Sequence, residues 1–230
     1  MDAIDELIDA AQTFYDDARA NENGRSLSWE HCFRVFRDAR TAPSPDYDYL
    51  SLHLAFYLAS WGMYRGSSFL LQKDYKVLLP VVEEVLKPEY DCLFGVACAD
   101  LREPEVQVML TKLYDYIADY FRPIRDEVAG CEVASSVSPV LVTKILMGTL
   151  GCVPVYDRFF QDGVATHKVT TQEYSLKSVL RLVDFYEEHN DRLEETRRGM
   201  QCEDLTYPQM KVLDMGFWQV GFEKDAGSAK

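Results

Sequence analysis

The chain is short of positive charge: 24 Lys and Arg stand against 38 Asp and Glu, for a formal net charge of −14 at pH 7. Coating nucleic acid non-specifically depends on Lys and Arg neutralising phosphate, so that function class is disfavoured, although a local basic surface is not. Histidine is scarce and unpatterned: His31, His53, His167 and His189 form no H-x-x-x-H or H-x-E spacing, and no metal site is expected. The six cysteines (Cys32, Cys92, Cys98, Cys131, Cys152, Cys202) contain no C-x-x-C pair and read as reduced, buried or half-buried thiols. The longest apolar stretch, Leu50 to Leu71, is interrupted by His53, Arg65 and several Ser and Gly residues, so it reads as a buried helix and not as a membrane span. The N-terminus, Met1-Asp2-Ala3-Ile4-Asp5-Glu6, is acidic where a secretory signal would be basic. The expected location is therefore cytoplasmic, without membrane association. Also missing are G-x-x-x-x-G-K-[ST], G-x-G-x-x-G, G-x-S-x-G and H-E-x-x-H, and no cofactor is expected.

What is present is apolar and periodic. The 47% hydrophobic and 13% aromatic content excludes disorder for the body of the chain. It suits a single α-helical domain over 1–222, divisible into a lobe of 45–135 and a lobe of 1–44 plus 136–222, with a polar tail at 223–230. Apolar residues recur at three- and four-residue steps over 2–20 (Ile4, Leu7, Ile8, Ala11, Phe14), and a second helix over 29–39 has Ser28 as its N-cap. A helix over 48–71 is apolar almost all round, which predicts burial on all faces. Within it Gly62 and Gly66 either offer a flat face to another backbone or break the helix near Arg65. Further helices are predicted over 74–86, 104–121, 140–150, 174–198 and 206–222, the last ending near Trp218. Pro88, Pro104 and Pro123 mark junctions, and Thr170-Thr171-Gln172-Glu173 caps the 174–198 helix. Only 164–170 reads as a short strand. The fold class is all-α, a compact multi-helix and two-lobed arrangement.

The charges divide unevenly. Met1 to Glu22 carries seven acids against Arg19 alone, whereas Pro139 to Lys168 carries Lys144, Arg158 and Lys168 against Asp157 and Asp162. The neighbouring carboxylates Asp46 and Asp48, Glu83 and Glu84, Glu187 and Glu188, and Glu194 and Glu195 read as solvated faces. Arg65, in apolar surroundings, needs a partner or a route to water. It is either a structural ion pair or, with Tyr64 and Ser67, one wall of a ligand cleft in which its guanidinium holds an anion such as a phosphate.

The most pointed stretch runs from Pro139 to Gly163. An apolar helix (Val140, Leu141, Ile145, Leu146, Leu150) carries Lys144 and stops at Gly151, a residue suited to the left-handed ending of a helix. Val153-Pro154-Val155 leads on extended, and Asp157 stands where the next helix begins and can cap it. The order Thr143-Lys144, an apolar helix, then Pro154-Val155-Tyr156-Asp157 resembles a segment of the helix-hairpin-helix DNA glycosylase superfamily. Ser138-Pro139-Val140-Leu141-Val142 stands where the hairpin glycines would be.

That resemblance implies a two-lobed, all-helical, glycosylase-like architecture and an enzyme that flips a damaged or modified base out of DNA and cleaves its N-glycosidic bond. Asp157 would be the catalytic carboxylate, stabilising an oxocarbenium-like sugar and helping to activate water. Lys144 would be a second nucleophile or a phosphate contact. Trp61, Tyr64, Arg65, Ser67, Tyr156 and Arg158 would bind substrate, with DNA held locally despite the net negative charge. A different class of function is equally open: a non-catalytic acidic helical module that binds a protein, such as a basic one, through its acidic surface. A third is a small-molecule enzyme that uses Arg65 as an anion clamp.

Overall fold

Apolar side chains recurring at three- and four-residue steps build helices, and the computed structural model, which describes residues 2–202 and 204–228, is all-α. Ten α-helices are described: α1 (Ala3–Ala20), α2 (Leu27–Thr41), α3 (Tyr47–Ser60), α4 (Leu79–Val85), α5 (Pro104–Ala129), α6 (Pro139–Thr149), α7 (Arg158–His167), α8 (Leu176–Glu188), α9 (Asn190–Gly199) and α10 (Gln209–Ser228). Short 3-10 turns occupy 69–72, 75–78, 88–93 and 100–102. Two antiparallel strands of two residues each, β1 (Gln201–Cys202) and β2 (Leu205–Thr206), pair Gln201 with Thr206 and Cys202 with Leu205. Among the described residues no helix is long and apolar enough to cross a membrane.

The chain forms two compact units: 1–22, 95–107 and 151–230 make the first, and 23–94 with 108–150 make the second. These differ from the lobes expected at 45–135 and at 1–44 plus 136–222. Residues 23–44 and 139–149 join the second unit because α2 packs against α3 and α6. Residues 95–107 join the first, where the Cys98 N–H donates to the Gln209 side chain and Arg102 pairs with Asp184 at 2.7 Å.

The first unit is arranged around α10, which buries Met210, Val212, Leu213, Met215, Phe217 and Val220. Helix α7 lies so close along it that a Cβ on Gly163 would overlap the Phe217 carbonyl and one on Gly221 would overlap the Phe159 carbonyl. Helix α1 packs against α10 as well, with Leu7 against Gly216. Two polar clusters lie inside. Lys211 donates to Asp214 at 2.8 Å, and the other Asp214 oxygen accepts the Val155 N–H at 2.8 Å, which ties the extended 153–155 segment to α10. Glu194 accepts from Arg197, from Gln209 at 2.7 Å and from the Tyr186 hydroxyl at 2.8 Å.

In the second unit Trp29, Phe33 and Phe36 of α2 and Leu54 and Leu58 of α3 are buried. The Trp29 indole donates to the Met147 carbonyl of α6 at 3.0 Å. A Cβ on Gly148 would come within 2.5 Å of the Tyr57 ring, so the small residue sets the α3–α6 approach.

Several elements depart from the sequence expectation. The 48–71 helix ends at Ser60, because Gly62 and Gly66 both take positive φ (78° and 59°). Nor is it buried all round: Tyr49, Leu52 and Phe56 are 50%, 52% and 61% exposed. Of the strand expected at 164–170, residues 164–167 are the end of α7, where Phe160, Gly163 and Val164 are buried at helical spacing, which outweighs the β-branched composition, and Lys168 ends the helix at φ 55°. The 174–198 helix is two, α8 and α9, divided at His189, and Ser175, not the Thr170–Glu173 group, caps α8 by accepting the Ser178 N–H at 3.0 Å. Ser26 precedes α2 in place of Ser28, which is buried within the helix. Helix α5 continues through Pro123. Helix α10 runs through Phe222 to Ser228, so the expected polar tail is helical as far as Ser228, with 223–227 exposed, and residues 229–230 lie outside the described residues. Glu84 and Glu194, expected on solvated faces, are enclosed instead: Glu84 accepts the Tyr90 hydroxyl at 2.9 Å and the Lys87 ammonium at 2.6 Å.

Burial pushes the Glu194 carboxyl up, but hydrogen bonds from Arg197, Gln209 and Tyr186 and the Arg197 charge outweigh it and hold the pKa at about 2, against an ordinary 4.5. A depressed carboxylate contributes stability that is complete above its unfolded pKa and lost as pH falls through the folded one. Thermal unfolding temperature is therefore expected to fall between pH 4.5 and about 2, and Glu194→Gln is expected to flatten that part of the profile. An unchanged slope in the variant would show that other carboxylates dominate the acid limb.

Candidate functional site

The site begins where α3 stops. The Met63 N–H donates to the Leu58 carbonyl at 2.8 Å and the Gly62 N–H to the Ala59 carbonyl at 3.0 Å. This paired left-handed ending requires positive φ at Gly62. Gly66 makes a second reversal, and the Ser68 hydroxyl closes the loop on the Met63 carbonyl at 2.5 Å. This loop, the end of α5 (Arg125, Val128, Ala129) and the entry to α6 (Ser135, Ser136, Ser138, Leu141) line a cleft of about 870 Å³ in the second unit. In a chain of net charge −14, the lining contains two arginines and no carboxylate.

The two arginines differ. Arg125 is nearly enclosed and fully engaged: its guanidinium donates to the Ser135 carbonyl at 2.6 Å, to the Val133 carbonyl at 3.0 Å and to Asp126 at 2.9 Å. It holds the 133–135 backbone in place. Arg65 is exposed, and among the described residues no hydrogen bond or ion pair takes its guanidinium. Its side chain lies back over Gly62, where a Cβ would come within 2.8 Å of Nε, so Gly62 supplies both the turn and the room for the guanidinium. Ser138 stands at the N-cap position of α6 without a side-chain capping bond, and Pro139 follows as the first helical residue. Pro139 has no N–H and the Leu141 N–H is donated to the Ser138 carbonyl at 3.0 Å, so the entry to α6 brings to the cleft the Ser138 hydroxyl and the positive end of the helix dipole. Serine hydroxyls and a guanidinium thus share one lining. Among the described residues its lining has no serine paired with a base.

The other sequence candidates have their own surroundings. Lys144, 5% exposed on α6, donates to the Trp61 carbonyl at 2.6 Å, placing its charge at the C-terminal, negative end of α3. Trp61 is half-buried, and the Arg25 guanidinium lies over its ring at 5.2 Å. The Tyr64 hydroxyl is buried with no hydrogen-bond partner among the described residues; burial, with Asp74 adding to it, pushes that phenol up. Ser67 lines the cleft beside Arg65. These five belong to the second unit, and Tyr156, Asp157 and Arg158 belong to the first.

Asp157 caps α7, its Oδ1 accepting the Phe160 N–H at 3.2 Å, as its position after Val155-Tyr156 predicts. Tyr156 is buried core with its hydroxyl 2.6 Å from Ser178 Oγ, and Arg158 pairs with Asp225 at 2.6 Å. Arg65 and Ser67 share the lining of one cleft, and Tyr64, which the sequence reading grouped with them, is not in that lining. Sequence reasoning missed Arg125, Val128, Ser135 and Ser136. Ser138-Pro139 carried a legible signal, serine followed by proline at the first helical position. Among the described residues no group of three His, Cys, Asp or Glu side chains could hold a metal ion.

No family model matches the chain, and neither a curated protein nor a solved structure matches it.

Asparagine caps a helix about as well as aspartate, whereas alanine does not. Asp157→Ala is expected to lower stability by about 1 kcal/mol in urea unfolding, with Asp157→Asn close to the parent chain. Equal losses in both variants would mean that the carboxylate charge, and not the cap, is what the position requires.

Proposed function

We propose that the second unit is a binding module whose cleft captures a phosphate group of a small molecule. The observation that carries this reading is the Arg65 guanidinium, unpartnered among the described residues, at a cleft with no carboxylate in its lining. A planar guanidinium fits two phosphate oxygens at once. The hydroxyls of Ser67 and Ser138 supply further donors. A volume of about 870 Å³ lies in the range of small-molecule sites. The overall charge of −14 opposes a long polyphosphate.

The glycosylase resemblance has less support: the helix cap explains Asp157 and the Trp61 carbonyl explains Lys144, each without a substrate. The protein-binding alternative has one specific observation in its favour. Tyr49, Leu52 and Phe56 of α3 form an exposed apolar stripe at the spacing with which helices dock. Its test is whether Phe56→Asp abolishes binding of a basic amphipathic peptide.

Titration calorimetry with inorganic phosphate, methyl phosphate and a short DNA duplex tests the cleft. Phosphate binding is expected to weaken roughly tenfold or more in Arg65→Ala, and less in Arg65→Lys, which keeps the charge but loses the fork. No detectable phosphate binding by the parent chain overturns the proposal. Duplex binding that depends on Arg65, accompanied by abasic-site formation lost in Asp157→Asn, would restore the nucleic-acid reading.

A further inference from the structure

The remainder of the cleft describes the rest of the ligand, on the premise that the phosphate-binding reading holds. A phosphate fills only a small part of about 870 Å³. Beyond Arg65, Ser67 and Ser138, the lining offers the apolar side chains Met63, Phe69, Val128 and Ala129, with the hydroxyls of Ser135 and Ser136 at the α6 end and Leu141 almost wholly buried. Val128, on the last turn of α5, is one of the few large apolar side chains left 36% exposed. Covering it with hydrocarbon removes it from water and is favourable in proportion to the area covered.

What the lining lacks narrows the choice further. Among the described residues the lining contains no Asp, Glu, Asn or Gln, which leaves serine hydroxyls as the side-chain groups in it that could both donate to and accept from a sugar hydroxyl or a base edge. A base could stack on an aromatic face, but Phe69 is the single aromatic in the lining and its ring packs against Phe121 at 5.7 Å. We infer that the cleft takes a phosphomonoester of a hydrocarbon chain, in preference to bare phosphate, a sugar phosphate or a nucleotide. Such chemistry occurs both as a soluble alkyl phosphate and as the headgroup end of a phosphatidic acid.

The experiment measures affinity by calorimetry for methyl, butyl, hexyl and octyl phosphate, with glucose 6-phosphate and adenosine monophosphate alongside. Affinity is expected to rise about fourfold per methylene until the apolar lining is covered, and Val128→Asn is expected to flatten that slope. Equal affinity across the alkyl series, or tighter binding of the sugar phosphate or nucleotide than of hexyl phosphate, overturns the inference while leaving phosphate binding in place. Failure of every phosphate to bind overturns the underlying reading instead. Sedimentation with phosphatidylcholine vesicles containing or lacking phosphatidic acid separates the two sources. Selective binding to the former supports the lipid form, and none, with the alkyl slope retained, supports the soluble form.

Discussion

A helix ends with carbonyls that no further turn can satisfy, and at the end of α3 those carbonyls decide where the neighbouring elements go. Leu58 and Ala59 are answered by the N–H groups of Met63 and Gly62, which forces the chain into its left-handed turn. The Trp61 carbonyl is answered by the buried Lys144 ammonium. A charge with so little access to water is costly unless it has a partner, and the negative end of a helix is a favourable one. Lys144 therefore ties α6 to the end of α3, and with α6 come Ser138 and Leu141. One face of the cleft is the turn itself, and another is carried by the helix that satisfies it.

The polar interior of the first unit is organised differently. There the charged groups complete one another: Asp214 is shared between Lys211 and the Val155 backbone, and Glu194 collects donors from Arg197, Gln209 and Tyr186. Such sets fix geometry, since removing one member leaves the rest buried and unanswered. Arg65 has no such set, although it sits in a chain with many more acids than bases. A cation that the fold leaves unpaired, in a lining free of carboxylate among the described residues, is the feature on which the proposed binding rests.

Much of the fold was legible because the relevant signals are local. The spacing of Ile4, Leu7, Ala11 and Phe14 specified α1, and Gly151 and Asp157 specified the end of α6 and the start of α7. Composition misled where it had to stand for geometry. The apolar sequence of α3 says nothing about which face the fold leaves uncovered, and Leu52 and Phe56 are outside. The β-branched residues near 164–170 matter less than the burial of Gly163 and Val164 against α10. Of the cleft, Arg65 and Ser67 could be read because two glycines and an isolated cation lie together in sequence. Arg125 and Ser135 could not, because only the folded chain brings residues some sixty positions away to the same lining.

The clamp that Arg125 places on the Val133 and Ser135 carbonyls has a kinetic consequence. A short connecting segment without helix or strand would ordinarily sample many conformations, and a ligand would have to select or freeze one of them on arrival. Here the guanidinium, itself anchored by Asp126, orders the segment when the unit folds. Little conformational search is then left for the encounter. For a ligand taken as proposed, association would then resemble entry into a preformed receptacle, and differences in affinity among ligands would reside mainly in how fast each one leaves.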